Sequence, residues 1–215
     1  MRKNWAYKNS ENESTTGLPF IITQKGSDED SFVPDIGNVK TVGENSIYFY
    51  GDVDDDSALE LNKTLIELDH KLQKLKVSLG DSYNPIIHLH INTYGGGIFS
   101  AFSTVDTIRN LKSLVYTYID GSVASAGTLI TTIGSKRYIG KHAHLPIHQL
   151  SSGVYGKFSE MEDEIYNCTN LMKLLKKFYK ETTKIPMKNL DELLKRDIWM
   201  SAEECLQYGI VDEII

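Results

Sequence analysis

Four short stretches of the sequence carry residue types that together could perform acyl transfer. The run Gly95-Gly96-Gly97 follows an apolar stretch, and its backbone N–H groups could bind an oxyanion. Ser125 lies between a strand-like and a helix-like stretch, where a hydroxyl could act as nucleophile. His148 could be the general base and Asp197 its orienting acid. Each feature alone is more typical of a turn, a cap or an ion pair, but the four together form a complete set.

Better-known motifs for the same segments are absent. The glycine run is not a P-loop, since no Gly-Lys-Ser or Gly-Lys-Thr follows it, and the G-x-G-x-x-G spacing fails. The stretch GSVASAG, residues 121–127, lacks the G-x-S-x-G elbow, because Val123 stands where that motif has glycine. Ser122 is a second serine at the same junction, so the residues alone leave two candidate nucleophiles.

Two pairs of histidines have the spacing of residues that share one face of a strand. They are His88 with His90, and His142 with His144. Such pairs could ligate zinc, but no acidic ligand lies close to either in the sequence. We therefore expect structural histidines, no metal and no cofactor.

The hydrophobic pattern predicts strands that alternate with helices. Strands are expected at residues 46–50, 85–92, 115–119, 136–140 and 146–150, and helices at about residues 57–77, 98–111, 122–133, 158–179 and 201–209. Strict alternation favours a mostly parallel sheet covered by helices. The predicted class is α/β, with one domain and a protruding long helix. Residues 1–45 are polar and turn-rich, and we interpret them as an arm that docks through a short strand at residues 18–22.

Composition narrows the classes of function. The 215 residues include 23 Lys and Arg against 29 Asp and Glu, a net charge of −6, which argues against nucleic-acid binding. The two cysteines, Cys168 and Cys205, cannot form a disulfide framework and favour a reducing compartment. No apolar run is long enough for a membrane span. We expect a cytoplasmic protein with no membrane partner.

Several segments, in the right order, resemble the proteolytic subunit of the Clp protease, the ClpP family. They are PIIHLHINTYGG at residues 85–96, GSVASAGT at 121–128, Ile147-His148-Gln149, and DIWMSAEECLQYGIVD at 197–212. The resemblance extends from about residue 18 to residue 215. It implies that Ser125, rather than Ser122, is the nucleophile, with His148 as base and Asp197 as acid. The implied oxyanion donors are the N–H groups of Gly96 and Ala126.

The resemblance also implies an architecture and an activity. The fold would be ClpP-like, related to crotonases, with a handle helix from about Lys157 that interlocks two heptameric rings into a tetradecamer. Inside this chamber, a serine endopeptidase would hydrolyse unfolded polypeptides and short peptides. Substrate would lie as an added strand beside Gly97 and Ile98 on one side and Gln149 and Leu150 on the other. Residues 1–17 would be an arm or a leader, and residues 18–215 the peptidase domain.

The sequence departs from the family pattern at four positions. Tyr94 and Leu150 flank the substrate groove where the family usually has proline. His90 and Asn110 stand where the family has aromatic residues that receive a Clp-type AAA+ ATPase, so docking of that partner is in doubt. Two alternatives stay open at this point: a catalytically silent ring subunit, and a crotonase-fold enzyme that acts on acyl-CoA.

Overall fold

The computed structural model of the chain describes residues 38–215. The expected arm at residues 1–17, the short strand at residues 18–22 and the start of the predicted domain lie outside the described residues. Within residues 38–215, no helix combines the length and the apolar character that a membrane span needs.

Eight strands and six helices alternate along the described residues. The strands are β1 (Val39–Val42), β2 (Ser46–Tyr50), β3 (Ile86–Thr93), β4 (Leu114–Val123), β5 (Lys136–Ile139), β6 (Leu145–Pro146), β7 (Trp199–Met200) and β8 (Glu213–Ile214). The helices are α1 (Asp55–Leu79), α2 (Ile98–Asn110), α3 (Gly127–Thr132), α4 (Phe158–Thr182), α5 (Met187–Leu193) and α6 (Ala202–Gln207).

The main sheet has six strands in the order β1-β2-β3-β4-β5-β8. Only β1 is antiparallel to its neighbour; the other pairs are parallel, which confirms the predicted α/β class. Alternate residues of β3 are fully buried, among them Ile87, Leu89 and Ile91. Because β3 and β4 are parallel, their carboxyl ends lie at the same edge of the sheet, where ligands of such folds bind.

Helix α1 follows the leucine pattern of the sequence. Asp54 accepts a hydrogen bond from the Ser57 N–H at 2.8 Å, and this bond lowers the pKa of the carboxyl while it caps the helix. The leucines at helical spacing point into the core: Leu61, Leu65, Leu68 and Leu72. Burial of that stripe fixes α1 against the sheet.

Two predicted elements are wrong in their bounds, and others were missed. The helix expected at residues 122–133 begins only at Gly127, because Val123 still pairs with Thr93 in the sheet. The strand expected at residues 146–150 is confined to β6, which pairs with β7. The sequence reading also missed β1, placing it in the arm, and the short helix α5. Both are brief elements whose position depends on long-range pairing or packing.

Helix α4 protrudes from the body, as the pattern predicted. Its buried residues, Leu175, Phe178 and Tyr179, all lie near its C-terminal end. Apolar side chains in its N-terminal half, such as Phe158 and Ile165, are exposed. The helix is therefore anchored at one end only.

A buried carboxylate joins α1 to the start of β4. Asp69 is 6% exposed and accepts hydrogen bonds from the N–H groups of Ser113 at 2.7 Å and Lys112 at 3.4 Å. We predict that Asp69→Ala lowers the free energy of unfolding by about 2 kcal/mol, because it leaves a buried N–H group without an acceptor. Denaturant unfolding measures the loss. The control is Glu67→Ala on the exposed side of α1, and an equal effect of both changes would contradict this role.

Candidate functional site

Ser125 occupies the turn between β4 and α3. Its φ of 53° places it in the left-handed region, and it is the one non-glycine residue of the described part with a positive φ. Such a conformation costs free energy in a residue with a side chain and persists only where the surroundings enforce it. The side chain is half-buried at the carboxyl end of the sheet. The turn therefore presents one hydroxyl at the place where a ligand would bind.

The glycine run packs directly on this turn. A Cβ on Gly95 would lie 2.6 Å from the Ser125 Cβ and 3.0 Å from the Ala126 nitrogen, and Gly95 has a φ of 96°. A Cβ on Gly96 would lie 2.3 Å from the Val53 carbonyl oxygen. Neither position has room for a side chain. The sequence alone favoured a simple tight turn, but the structure brings the glycines and Ser125 into contact.

Two backbone N–H groups, one in the glycine run and one in the Ser125 turn, have no acceptor among residues 38–215. The Gly97 N–H donates to the Val53 carbonyl at 2.6 Å, and the Gly95 N–H donates to the Thr93 hydroxyl at 3.0 Å. In contrast, the N–H groups of Gly96 and Ala126 make no hydrogen bond to any residue of the described part. Donors of this kind can stabilise a negatively charged oxygen as it forms.

Ser122 has a different environment. It remains in β4, where its N–H donates to the Asn92 side chain at 3.2 Å and its backbone bridges to His144. Its hydroxyl is buried and, among the described residues, has no hydrogen-bond partner. The sheet holds Ser122 in extended backbone, away from the turn that carries Ser125.

His148 and Asp197 lie just beyond one end of a two-stranded ladder. Strands β6 and β7 are antiparallel, with Leu145 opposite Met200 and Pro146 opposite Trp199. His148 comes two residues after β6 and Asp197 two residues before β7, so both segments leave the ladder at the same end. That the two side chains act in one site stays a prediction.

The three side chains are not hydrogen bonded to one another. The His148 Nδ1–H donates to the Gln149 carbonyl at 2.8 Å, and the Gln149 N–H donates to the Leu194 carbonyl at 2.7 Å. Asp197 is exposed. Within residues 38–215, no hydrogen bond connects Ser125, His148 and Asp197. In this conformation, the ladder ends two residues before the pair that would orient the imidazole.

The paired histidines have other partners. His88 Nδ1 contacts the Tyr118 hydroxyl at 2.7 Å, and burial lowers the pKa of His88. His90 Nδ1 contacts the Asp120 carboxylate at 2.8 Å, and the imidazole stacks between Tyr48 and Tyr118. In the part of the chain that the structure describes, no group of three or more His, Cys, Asp or Glu side chains is arranged to hold a metal ion.

An open groove of about 630 Å³ lies between α4 and the loop that follows His148. Leu150 and Val154 line the loop side, and Ile165, Cys168 and Met172 line the helix side. The Leu150 N–H faces the Met172 sulfur at 3.3 Å. Sequence reasoning placed Leu150 at a groove but missed the α4 residues, because their helical spacing indicated only a packing face.

An aromatic pair at the site was also missed. Tyr94 precedes the glycine run and Trp199 follows Asp197 by two residues, and their rings meet edge to face at a centroid distance of 6.4 Å. Both side chains are substantially exposed. The two residues are far apart in sequence, so no local pattern could have indicated the contact.

Comparisons with known proteins agree with this geometry. A sequence model of the Clp protease family matches residues 37–215. The ATP-dependent Clp protease proteolytic subunit 2 of Chlamydia muridarum is 35% identical over 131 residues, which span 60% of this chain and 64% of that relative. This match therefore covers less than two thirds of the relative's length.

The fold has a counterpart among solved structures. A point mutant of ClpP1 from Listeria monocytogenes superposes with a TM-score of 0.68 at 26% identity, over 80% of this chain and 91% of that one. The family match covers the sheet, the Ser125 turn and the protruding helix. This protein therefore belongs to the Clp protease family and has the fold of its proteolytic subunit.

Proposed function

We propose that the protein is a serine endopeptidase of the Clp type, with Ser125 as nucleophile, His148 as base and Asp197 as orienting acid. The observation that carries the proposal is the Ser125 turn, a left-handed serine packed against the glycine run, where the Gly96 and Ala126 N–H groups have no acceptor among the described residues. Acyl transfer needs a nucleophile and an oxyanion site at one point in space. The proposed substrates are unfolded polypeptides and short peptides.

In the proposed mechanism, the Ser125 hydroxyl attacks the scissile carbonyl and gives its proton to His148 Nε2. The resulting oxyanion is stabilised by the N–H groups of Gly96 and Ala126. His148 then protonates the leaving amine, and water hydrolyses the acyl-enzyme by the reverse sequence of proton transfers. Asp197 holds the imidazole and stabilises its positive charge.

The mechanism requires one rearrangement from the observed conformation. His148 Nδ1 must exchange the Gln149 carbonyl for the Asp197 carboxylate. Support comes from the β6–β7 ladder, because His148 and Asp197 lie two residues beyond the same end of it. The exchange replaces one acceptor of the same N–H group by a charged one, and hydrogen bonds to charged groups are stronger.

Substrate is proposed to bind as an extended strand between two backbone edges. One edge is at Gly97 and Ile98, and the other is at Gln149 and Leu150. Main-chain pairing reads few side chains and therefore permits broad specificity. The groove between α4 and the loop from Leu150 to Val154 adjoins the second edge.

The proposed assembly into rings is argued from the exposed face of α4. The exposed apolar side chains of the N-terminal half of α4, including Phe158, Ile165 and Tyr166, need a cover. We propose that a second ring supplies it, so that stacked heptameric rings form a tetradecamer with the sites inside. Residues 18–215 are proposed as the peptidase domain, preceded by an arm or leader at residues 1–17.

One observation favours a second candidate, a catalytically silent ring subunit. His148 is bonded to the Gln149 carbonyl and not to Asp197, so the observed arrangement could not activate Ser125. Reaction with a serine-directed fluorophosphonate distinguishes the two candidates. A silent subunit would remain unlabelled in the assembled state.

We predict that Ser125→Ala abolishes peptide hydrolysis and fluorophosphonate labelling while leaving assembly intact. The members of a triad act as a unit, so the loss in kcat should be on the order of 10³-fold or more. Small fluorogenic peptides measure the rate, and native mass measures assembly. The matched control is Ser122→Ala, which should keep most of the activity. The reverse behaviour of the two variants would show that the nucleophile is misassigned.

We predict that hydrolysis needs no metal and no cofactor, because the nucleophile is a protein hydroxyl and not an activated water. Activity should survive dialysis against a chelator, and sizing should show that the rings stay intact. Loss in chelator with recovery in zinc, at constant assembly, would contradict this mechanism.

Docking of a Clp-type ATPase involves the sheet face that carries His90. Tyr50 and His90 both contact the Asp120 carboxylate, at 2.8 Å each, and the pKa of Tyr50 is raised to about 12 by burial and by Asp120. The Asp120 side chain is 27% exposed. Asn110, at the end of α2, is exposed and donates to the Asp106 carbonyl. An apolar loop that covered this face would remove water from the carboxylate.

We predict weak or no binding of an ordinary Clp ATPase. A bound apolar loop would take the Asp120 carboxylate and the Asn110 side chain out of water. Removal of polar groups from water costs about 1–3 kcal/mol, and a ring repeats this cost at each occupied site. The test is ATP-dependent degradation of a tagged folded protein, compared with the double variant His90→Phe and Asn110→Phe, which should dock more strongly. Lys63→Phe on the exposed face of α1 is the control for an added surface aromatic. Efficient degradation by the unmodified protein would contradict the prediction.

A further inference from the structure

The carbonyl oxygen of Ser125 accepts two hydrogen bonds from one residue. The Thr128 N–H donates to it at 3.0 Å, as expected at the start of a helix, and the Thr128 hydroxyl donates to it at 2.6 Å. The second bond is not required by the helix. This bond further restrains the carbonyl group of Ser125, whose backbone is in the left-handed region.

The Thr128 hydroxyl has a buried partner from another element. The Tyr179 hydroxyl lies 2.5 Å from Thr128 Oγ1, and the two residues are 2% and 0% exposed. Thr128 has one hydroxyl proton and gives it to the Ser125 carbonyl, so Tyr179 is the donor between the two hydroxyls. Burial raises the pKa of Tyr179 well above its ordinary value, which keeps this donor proton in place.

The anchored carbonyl belongs to the same peptide unit as a proposed oxyanion donor. The unit between Ser125 and Ala126 is planar and trans, so its C=O and its N–H point in opposite directions. A carbonyl that is fixed by Thr128 therefore fixes the direction of the Ala126 N–H. That N–H has no acceptor among the described residues, and its nitrogen lies beside the glycine run, 3.0 Å from the position of a Cβ on Gly95.

We infer that Thr128 and Tyr179 are positioning residues, which aim the Ala126 N–H at the forming oxyanion through the Ser125 carbonyl. This inference rests on the proposed function. Tyr179 lies near the end of α4 that is anchored in the body, so the long helix contributes a residue to the geometry of the oxyanion site. Neither residue touches substrate in this scheme; both act through the peptide unit.

The experiment compares Thr128→Val, Thr128→Ser and Tyr179→Phe in the full chain with small-peptide kinetics. Removal of an oxyanion donor costs about 10²–10³-fold in kcat, and a donor that is present but poorly aimed should cost less. We expect Thr128→Val to lower kcat by about 10-fold or more with KM nearly unchanged. Tyr179→Phe should lower kcat by a smaller factor, and Thr128→Ser, which keeps the hydroxyl, should restore most of the rate.

The matched control is Thr117→Val. Thr117 lies in β4 and is fully buried, and its hydroxyl donates to the carbonyl of Thr131 in α3 at 2.8 Å. Loss of that hydroxyl therefore perturbs α3 without touching the Ser125 peptide. Native mass and thermal unfolding verify that each variant is folded and assembled. If Thr128→Val does not fold, Tyr179→Phe carries the test, and full kcat in that variant overturns the inference.

The outcomes separate this inference from the proposed function. An active wild type with full kcat in Thr128→Val overturns the positioning role alone. Equal losses in Thr128→Val and Thr128→Ser, or in Thr128→Val and Thr117→Val, also overturn it, because packing would then explain the effect. A wild type that neither hydrolyses peptides nor reacts with fluorophosphonate overturns the proposed function and, with it, the inference.

Discussion

The contact between the glycine run and the Ser125 turn determines the arrangement of the site. Gly95 approaches Ser125 and Ala126 so closely that a single methyl group would overlap with both. Gly96 approaches the Val53 carbonyl in the same way. Two loops at the ends of β3 and β4 can meet at this distance because the strands are parallel neighbours, and a register shift between Ile91 and Thr93 pairs Thr93 with Val123 just before the turn. Bare backbone therefore lies against a serine in left-handed conformation, and the Gly96 and Ala126 N–H groups of these two loops have no acceptor within residues 38–215.

The strained half of the site is fixed from several directions. The Ala124 N–H donates to the Thr93 carbonyl at 2.9 Å just before the turn, and the Ser125 carbonyl receives two hydrogen bonds from Thr128 just after it. Tyr179 then ties Thr128 to α4. A left-handed serine is unfavourable in isolation, and such a conformation persists only where surrounding bonds determine it. Ser125 is therefore held by the sheet, by α3 and by α4 together.

The other half of the site is held more loosely. His148 and Asp197 lie beyond the ends of a ladder of only two residue pairs, and His148 is engaged with its own neighbour's carbonyl. Short ladders have few hydrogen bonds to lose, so their ends open at low cost. In the proposed mechanism, a rigid Ser125 turn beside a more adaptable His148 and Asp197 provides a physical route between an inactive and an active arrangement in one fold.

The sequence by itself determined the α/β class, the leucine face of α1, the protruding α4 and the chemical identities of the candidate residues. These features depend on periodicity and on residue types, which local sequence records. The tertiary structure decided where α3 begins, since the pairing of Val123 with Thr93 extends β4 past the point where small apolar residues favoured a helix. It also decided that the Gly96 and Ala126 N–H groups have no acceptor in the part of the chain that the structure describes, and that His148 bonds to Gln149 rather than to Asp197. Those outcomes depend on contacts and hydrogen bonds between segments that are far apart in sequence, and no local sequence pattern encodes them.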